Sequence, residues 1–440
     1  MRNFEIAAGG RLSGRFQVPG DKSISHRAIM LAALAQGRSR ISGLLTGEDC
    51  IATRRAFEAM GVAMHNDADA LVIDGVGLHG LQAPAQTIDL GNSGTGMRLL
   101  AGLLAGQAFA TRLTGDASLT QRPMGRIIKP LRRMGARITG DAQDRAPLDI
   151  AGGDKLTGID YHAPVASAQI KTCLLLAGLY AEGVTTVHEP GISRDHSERM
   201  LAALGADIDY GQGSVTLRSG APLQAQDLTV PADLSSAAFA MVGAAIAPGS
   251  ELQLPGVGIN PTRRGVIDLL LRMGAAIEIT NERQVSGEPV ADLTIRGRSL
   301  QGIDIDGADV ALAIDEFPAL FIAAACAKGG TRLRNAAELR VKESDRIAAM
   351  AAGLTTLGVD AAAHDDGMTI VGMPHGAAFS GGRINSHGDH RIAMAFSMAA
   401  LRASGPITID DCDNVATSFP DFVARARHAG LDIGVREAAA

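Results

Sequence analysis

Five short segments hold the residues that could do chemistry. The most densely charged is Arg340-Val-Lys-Glu-Ser-Asp-Arg346, where Lys342 and Arg346 stand one helical turn apart with Glu343 beside Lys342. Two cations there can bind an anion while the carboxylate moves a proton. Mixed charge at that spacing is also what a solvated, self-paired helix face carries. Asp21-Lys-Ser-Ile-Ser-His-Arg27 puts Lys22 and Ser23 at a helix opening, with Arg27 four residues after Ser23 and on its face. That is a phosphate or carboxylate clamp or an ordinary capped helix, and it lacks the spacing of a Walker A loop. Gly91-Asn-Ser-Gly-Thr-Gly96 is a glycine-rich turn before a helix, which lets a ligand approach the backbone. Its spacing and context are wrong for a dinucleotide fingerprint. Thr120-Gln-Arg-Pro-Met-Gly125 sets Arg122 before a proline at an expected helix start, and its planar fork suits a carboxylate or phosphate if it is not simply a surface residue. His387-Gly-Asp-His-Arg391 is rich in possible ligands but has neither the H-x-x-x-H nor the HExxH spacing, so no metal is expected.

The elements that position these segments repeat six times. A polar cluster opens each: Asp21 to Arg27, Gly91 to Arg98, Ala166 to Lys171, Ala232 to Ser236, Ile314-Asp-Glu316, and His387 to Arg391. Each is followed by a run of Ala, Leu, Met and Ile with almost no charge, expected to stop at Gly37, Gly106, Gly183, Gly249, Gly329 and Gly405. Apolar residues on every side of a helix mean burial. Ser, Asp, Asn and Gly suit helix starts, and glycine suits helix ends. A helix start offers free N–H groups and the positive dipole end to an anion. A second marker, a Met-Gly or Leu-Gly turn between helix and strand, recurs at Gly61, Gly135, Gly205, Gly274, Gly358 and Gly430. These glycines are about 70 to 85 residues apart, longer than common solenoid periods. Each unit reads as buried helix, strand, amphipathic helix, glycine turn, strand. Three units per domain follow, with Val18-Pro-Gly20 and Val230-Pro-Ala-Asp233 as the two crossings. The expected domains are 1–19 plus 232–440, and an inserted 20–231.

At 440 residues the chain has length for two domains and an ample core. Hydrophobic residues are 46% and charged residues 20%, the balance of a soluble globular protein. Aromatics are 3% and Trp is absent, so stacking platforms for nucleic acid are scarce. A net charge of −6 argues against a general polyanion binder, so an anion site must be local. No apolar stretch could span a bilayer, and the start of the chain lacks a signal-peptide core. Cys50, Cys173, Cys326 and Cys412 are scattered, Cys173 and Cys326 within apolar helix runs, which fits reduced thiols and a cytoplasmic location.

Taken together, Pro19-Gly-Asp-Lys-Ser-Ile-Ser-His-Arg27, Gly91 to Arg98, Gln121-Arg-Pro-Met124, Arg340 to Arg346, and Gly388-Asp-His-Arg391 with Ser418-Phe-Pro420 resemble the EPSP synthases, the 3-phosphoshikimate 1-carboxyvinyltransferases. The matches run in family order along essentially the whole chain. The resemblance implies an α/β enolpyruvyl transferase fold of mixed α+β type: two prism-like domains, each of three units, with helices inside and sheets outside. It implies an active site in the interdomain cleft, closure over shikimate 3-phosphate and phosphoenolpyruvate, no cofactor, a monomer, and glyphosate as an inhibitor. Shikimate 3-phosphate would be held by Lys22, Ser23, Arg27, Ser167, Ala168, Gln169, Arg194, Asp315 and Lys342. Phosphoenolpyruvate would be held by Lys22, Asn92, Gly94, Arg122, Gln169, Arg346, His390 and Arg391. Asp315 would be the base toward the 5-hydroxyl, and Glu343, assisted by Lys22, would protonate the methylene carbon.

Some positions depart from the commonest pattern. Glu338 and Thr417 stand where some members carry asparagine and lysine, and Leu99 replaces a common proline. Ser193-Arg-Asp-His196 resembles a divergent second bacterial class. The start of the chain, without a transit peptide, points to a bacterial-type protein. Two rival readings remain. One is the UDP-N-acetylglucosamine enolpyruvyl transferase, which usually has a reactive cysteine where Gly115 to Gln121 has none. The other is a non-catalytic anion-binding repeat protein.

Overall fold

The computed structural model describes residues 2–374 and 376–437. The six polar-headed runs form helices at Lys22–Leu34, Gly94–Ala105, Ala168–Gly178, Leu234–Ile246, Phe317–Ala325 and His390–Ala399. Every residue of Leu234–Ile246 and of Phe317–Ala325 is buried. That is the burial an all-apolar helix requires. Gly102 shows how tightly these helices pack: a Cβ there would lie 2.0 Å from the carbonyl oxygen of Cys173 on the next inner helix.

Outside the inner helices lie six four-stranded sheets, each built to one plan. The sheet of the first repeat runs 228–229, 36–42, 70–76, 63–67. Its first pair is parallel and the rest antiparallel. The parallel edge pair recurs in all six sheets; in four of them a buried helix crosses over between the two strands, while 228–229 with 36–42 and 13–15 with 251–258 pair strands distant in the chain. Five of the repeats therefore run short strand, inner helix, strand, outer helix, hairpin, and in the sixth Ile433–Glu437 pairs with Arg2–Ile6 in place of a hairpin, so each sheet has two strands more than the sequence alone suggests. The outer helix breaks at the recurrent glycine. Gly61, Gly135, Gly205, Gly274, Gly358 and Gly430 all have positive φ, from 83° to 116°, the conformation that a Cβ disfavours.

The chain divides into two compact units. One is Met1–Pro19, Pro231–Arg283 and Pro289–Ala440; the other is Gly20–Val230 with Gln284–Glu288. Each has its own core of inner helices and sheet faces. The N-terminal segment belongs to the first unit because Arg2–Ile6 pairs with Ile407–Asp410 and Ile433–Glu437, and Ser13–Arg15 pairs with Glu251–Gly258. Gln284–Glu288, near the tip of the hairpin formed by Ala276–Val285 and Glu288–Arg296, has no marker in the sequence.

The expected helix ends need correction. Only Gly106 sits at one, capping Gly94–Ala105. The other five glycines lie three to six residues beyond the last helical residue. The reason is that the connectors are buried too: Ala35, Leu179, Ala247, Ala327 and Leu401 are all in the core, so the apolar run outlasts the helix. Cys50, Cys173 and Cys412 are buried free thiols, and Cys326 caps its helix half-buried rather than lying inside it. Among the described residues, no helix is long and apolar enough to cross a membrane.

Candidate active site

In the unit containing residues 20–230, hydrogen bonds tie together the starts of the three inner helices. Asp21 caps the first, accepting from Ile24 N–H at 2.9 Å. That leaves Lys22 and Ser23 in the first turn, both half-buried. Lys22 Nζ lies 2.5 Å from Asp49 Oδ2. Arg27, one turn on, is buried and spans two helices. Its Nη1 donates to Ser23 O at 2.9 Å, its Nη2 to Thr172 Oγ1 at 2.8 Å and its Nε to Ser197 Oγ at 2.6 Å. Burial brings Arg27 down to about 10; Glu198 and Asp21 oppose the shift and the Arg194 charge adds to it. Arg27 and Arg194 are thus within electrostatic reach of one another, a place where an anion relieves repulsion.

The second inner helix is capped by Ser93, which accepts from Gly96 N–H at 3.0 Å. Arg122 does not stand at a helix start as expected. It follows the short 3-10 turn Leu119–Gln121, and the next helix begins at Gly125. Its Nη2 donates to Asn92 Oδ1 at 2.8 Å, and Asn92 Nδ2 donates to Asp116 Oδ2 at 2.7 Å. Arg98 donates to Gln169 Oε1 at 2.9 Å, and Gln169 Nε2 donates to Thr95 Oγ1 at 3.0 Å. A Cβ on Gly94 would sit between the two arginines, 3.0 Å from Arg98 Nη1 and 3.1 Å from Arg122 Nη1. Ser167 caps the third helix, with Ala168 and Gln169 in its first turn. Behind them Lys171 is buried between Glu189 and Glu198, 2.7 Å from each. Glu189 also accepts from Ser167 N–H at 2.7 Å.

In the other unit, Arg346 organises the cluster. It is fully buried, and its Nε lies 2.8 Å from Asp389 Oδ2. Its Nη2 lies 2.5 Å from Glu343 Oε2, and its Nη1 3.6 Å from Asp315 Oδ1. Burial opposes the charge, but Asp389, Glu343 and Asp315 together raise the guanidinium pKa. Arg391 donates to Asp315 O at 2.9 Å and brings Nη2 to 4.0 Å from Asp315 Oδ2. Asp389 caps the last inner helix, placing His390 and Arg391 in its first turn. Burial draws the Lys342 ammonium below the ordinary lysine range, against the pull of Asp315 and Glu338. Three carboxylates, Asp389, Glu343 and Asp315, therefore share one buried cation, with Lys342 and Arg391 close by. That arrangement can bind an anion and move protons beside it.

The profile of the family described as EPSP synthase (3-phosphoshikimate 1-carboxyvinyltransferase) matches residues 6–425. This chain belongs to the EPSP synthase family. The 3-phosphoshikimate 1-carboxyvinyltransferase of Methylococcus capsulatus is 62% identical over 433 residues, covering 98% of each chain. That of Alkalilimnicola ehrlichii is 60% identical over 429 residues, covering 97% of this chain and 96% of its own. The solved EPSP synthase of Acinetobacter baumannii superposes with a TM-score of 0.90 at 53% identity, over 99% of this chain and 100% of that one. The enolpyruvyl transferase NikO of Streptomyces tendae, at 21% identity and a TM-score of 0.81 over 100% and 99%, shares the fold.

Several members of these clusters have no separate standing in the sequence of this EPSP synthase family member. Arg98 is a missed candidate with a legible signal, standing one turn after Gly94 on the same helix. Asp389, within the Gly388 to Arg391 motif, is another. Lys171 with Glu189 and Glu198 gave no signal, since the partners come together only on folding. The polar openings of the fourth and fifth helices were legible but their shared partner was not: Arg263 donates to Asp233 at 3.0 Å and to Ser235 at 2.6 Å, and Ser235 donates to Glu316. Of the departures from the family pattern, Thr417 is buried and donates to Asn414 O at 2.7 Å, and Leu99 is in the core.

Proposed function

We propose that this protein transfers the enolpyruvyl group of phosphoenolpyruvate to the 5-hydroxyl of shikimate 3-phosphate, giving 5-enolpyruvylshikimate 3-phosphate and phosphate. Family membership sets the reaction class. The observation that carries the reading at this site is the placement of Asp315 and Glu343 on opposite nitrogens of one guanidinium, Arg346.

In this reading Glu343 gives a proton to the methylene carbon of phosphoenolpyruvate, assisted by Lys22, and positive charge develops at the enol carbon. Asp315 takes the proton of the 5-hydroxyl as its oxygen bonds to that carbon. The tetrahedral adduct then loses a proton from the new methyl group and expels phosphate, restoring the double bond. Carboxylates beside the developing cation lower the barrier when held in place beforehand. Two substrates carrying phosphates and a carboxylate repel one another unless cations stand between them. Lys22, Ser23, Arg27, Ser167, Ala168, Gln169, Arg194 and Lys342 serve shikimate 3-phosphate. Asn92, Gly94, Arg122, Arg346, His390 and Arg391 serve phosphoenolpyruvate, with Lys22 and Gln169 touching both. Arg98, held to Gln169, joins the second set.

The test is phosphate release. It is expected only when shikimate 3-phosphate and phosphoenolpyruvate are both present. Release with UDP-N-acetylglucosamine in place of shikimate 3-phosphate, or none with the proper pair, would overturn the assignment.

A further inference from the structure

Apart from the residues above, one outer sheet brings three metal-ligating side chains together. Asp160 and His162 lie two apart on the strand Asp160–His162, hence on one face. The parallel strand Val184–His188 sets His188 directly opposite His162. The two imidazoles stack with centroids 4.3 Å apart and planes inclined by 12°. Asp160 Oδ1 is 2.9 Å from His188 Nε2 and 3.9 Å from His162 Nε2. One donor atom from each residue falls within 4.8 Å of the other two. Asp160 and His162 are largely exposed and His188 partly so, leaving an open side for entry.

We propose that Asp160, His162 and His188 form a surface site for Zn²⁺, holding the ion through two imidazoles and one carboxylate and leaving its fourth position to water. The donor set selects the ion. Imidazole nitrogen suits zinc and its first-row neighbours, whereas Mg²⁺ and Ca²⁺ prefer all-oxygen shells. The spacing fits as well. Bonds of about 2.0 to 2.2 Å in a tetrahedral shell put neighbouring donors roughly 3.3 to 3.5 Å apart. The observed 2.9 and 3.9 Å straddle that distance. The backbone register fixes the three positions, and because the stacked rings point their in-plane nitrogens nearly parallel, the exposed His162 turns out of the stack to another rotamer to share the ion with His188. Three protein ligands with a water in the fourth position is a common zinc arrangement.

The test is calorimetric titration of the full chain, purified without a histidine tag, with zinc chloride. One saturable site is expected. His162→Ala and Asp160→Asn should each weaken it by about 10- to 100-fold or more, with the circular dichroism spectrum unchanged. Magnesium chloride should give no saturable binding. Absence of a saturable zinc site, equal affinity in a His162→Ala/His188→Ala double variant, or magnesium binding as tight as zinc would each overturn the proposal.

Discussion

Gly94→Ala separates packing at the candidate site from stability of the fold. Gly94 is the first residue of its helix and is not among the positive-φ glycines, so alanine fits its backbone. Alanine is the better helix former, by at most about 0.5–1 kcal/mol, which offsets part of the crowding its methyl brings, so the melting temperature should hold or fall slightly. The added methyl would lie 3.0 Å from Arg98 Nη1 and 3.1 Å from Arg122 Nη1, with Leu119 Cδ1 behind it at 3.7 Å. Comfortable contact is about 3.5–4.0 Å, so each guanidinium must retreat by roughly half an ångström. Both are tethered, Arg98 to Gln169 at 2.9 Å and Arg122 to Asn92 at 2.8 Å. Weakening these charge-assisted bonds costs about 1–2 kcal/mol, less than their loss because the arginine ends can adjust. Displaced from phosphoenolpyruvate as well, the two guanidiniums lose a comparable share of binding energy, about a 5- to 30-fold rise in its Michaelis constant. The constant for shikimate 3-phosphate should move less. Glyphosate, longer than phosphoenolpyruvate, should lose more affinity than the substrate. Initial-rate kinetics by phosphate release, with a melting curve, give all of these quantities. Equal shifts for both substrates, or none, would refute the placement of Gly94 against the phosphoenolpyruvate site.

Three further outcomes are expected. Glu343→Gln and Asp315→Asn should each lower kcat by about 100-fold or more while substrate binding largely survives, as the loss of a proton-transfer group does; near-normal turnover in either variant removes that residue from the mechanism. Lys171→Met leaves Glu189 and Glu198 buried without their shared cation and should cost about 3–5 kcal/mol in urea unfolding, whereas adding Glu198→Gln should recover part of the loss; additive losses would speak against the pairing. His26 is buried against Thr53, and burial, reinforced by Lys22 and Arg27 and opposed by Asp49, holds its pKa down at about 3. The unfolded chain takes up that proton near pH 6.5 and the folded one does not, so stability should fall as pH drops from about 6.5 toward 3, with a slope approaching 1.4 kcal/mol per pH unit. His26→Gln should remove that component, seen as a shallower pH dependence of the urea midpoint.

Much of this was legible before folding, and the reason is local. A helix that must be buried needs apolar residues all round, and its start needs a cap, so each inner helix announces itself within about ten residues. The outer-helix glycines are equally local, because a positive φ is a property of one residue. Partnerships are different. Arg27 meets Thr172 and Ser197, Lys171 meets Glu189 and Glu198, and Arg98 meets Gln169. Residue type declares the charge, but only helix packing decides which opposite charge answers it. The Asp160, His162 and His188 group was hidden for the same reason, since its histidines meet only through strand register.

The helix starts also explain why the candidate base stands where it does. At five of the six, a side-chain oxygen is committed to capping: Asp21, Ser93, Ser167, Asp233 and Asp389 each accept from a backbone N–H of their own helix. An aspartate so engaged has an oxygen committed to backbone donors of its own helix and is a poor partner for a substrate proton. The fifth helix, Phe317–Ala325, has no side-chain cap. The two carboxylates before it are turned elsewhere, Glu316 to Ser235 and Asp315 toward Arg346 and Arg391. Pro318 near the helix start lessens the need for a cap, because it has no N–H to satisfy. The fold thus omits a cap where it presents a carboxylate to cations, and that carboxylate belongs to Asp315.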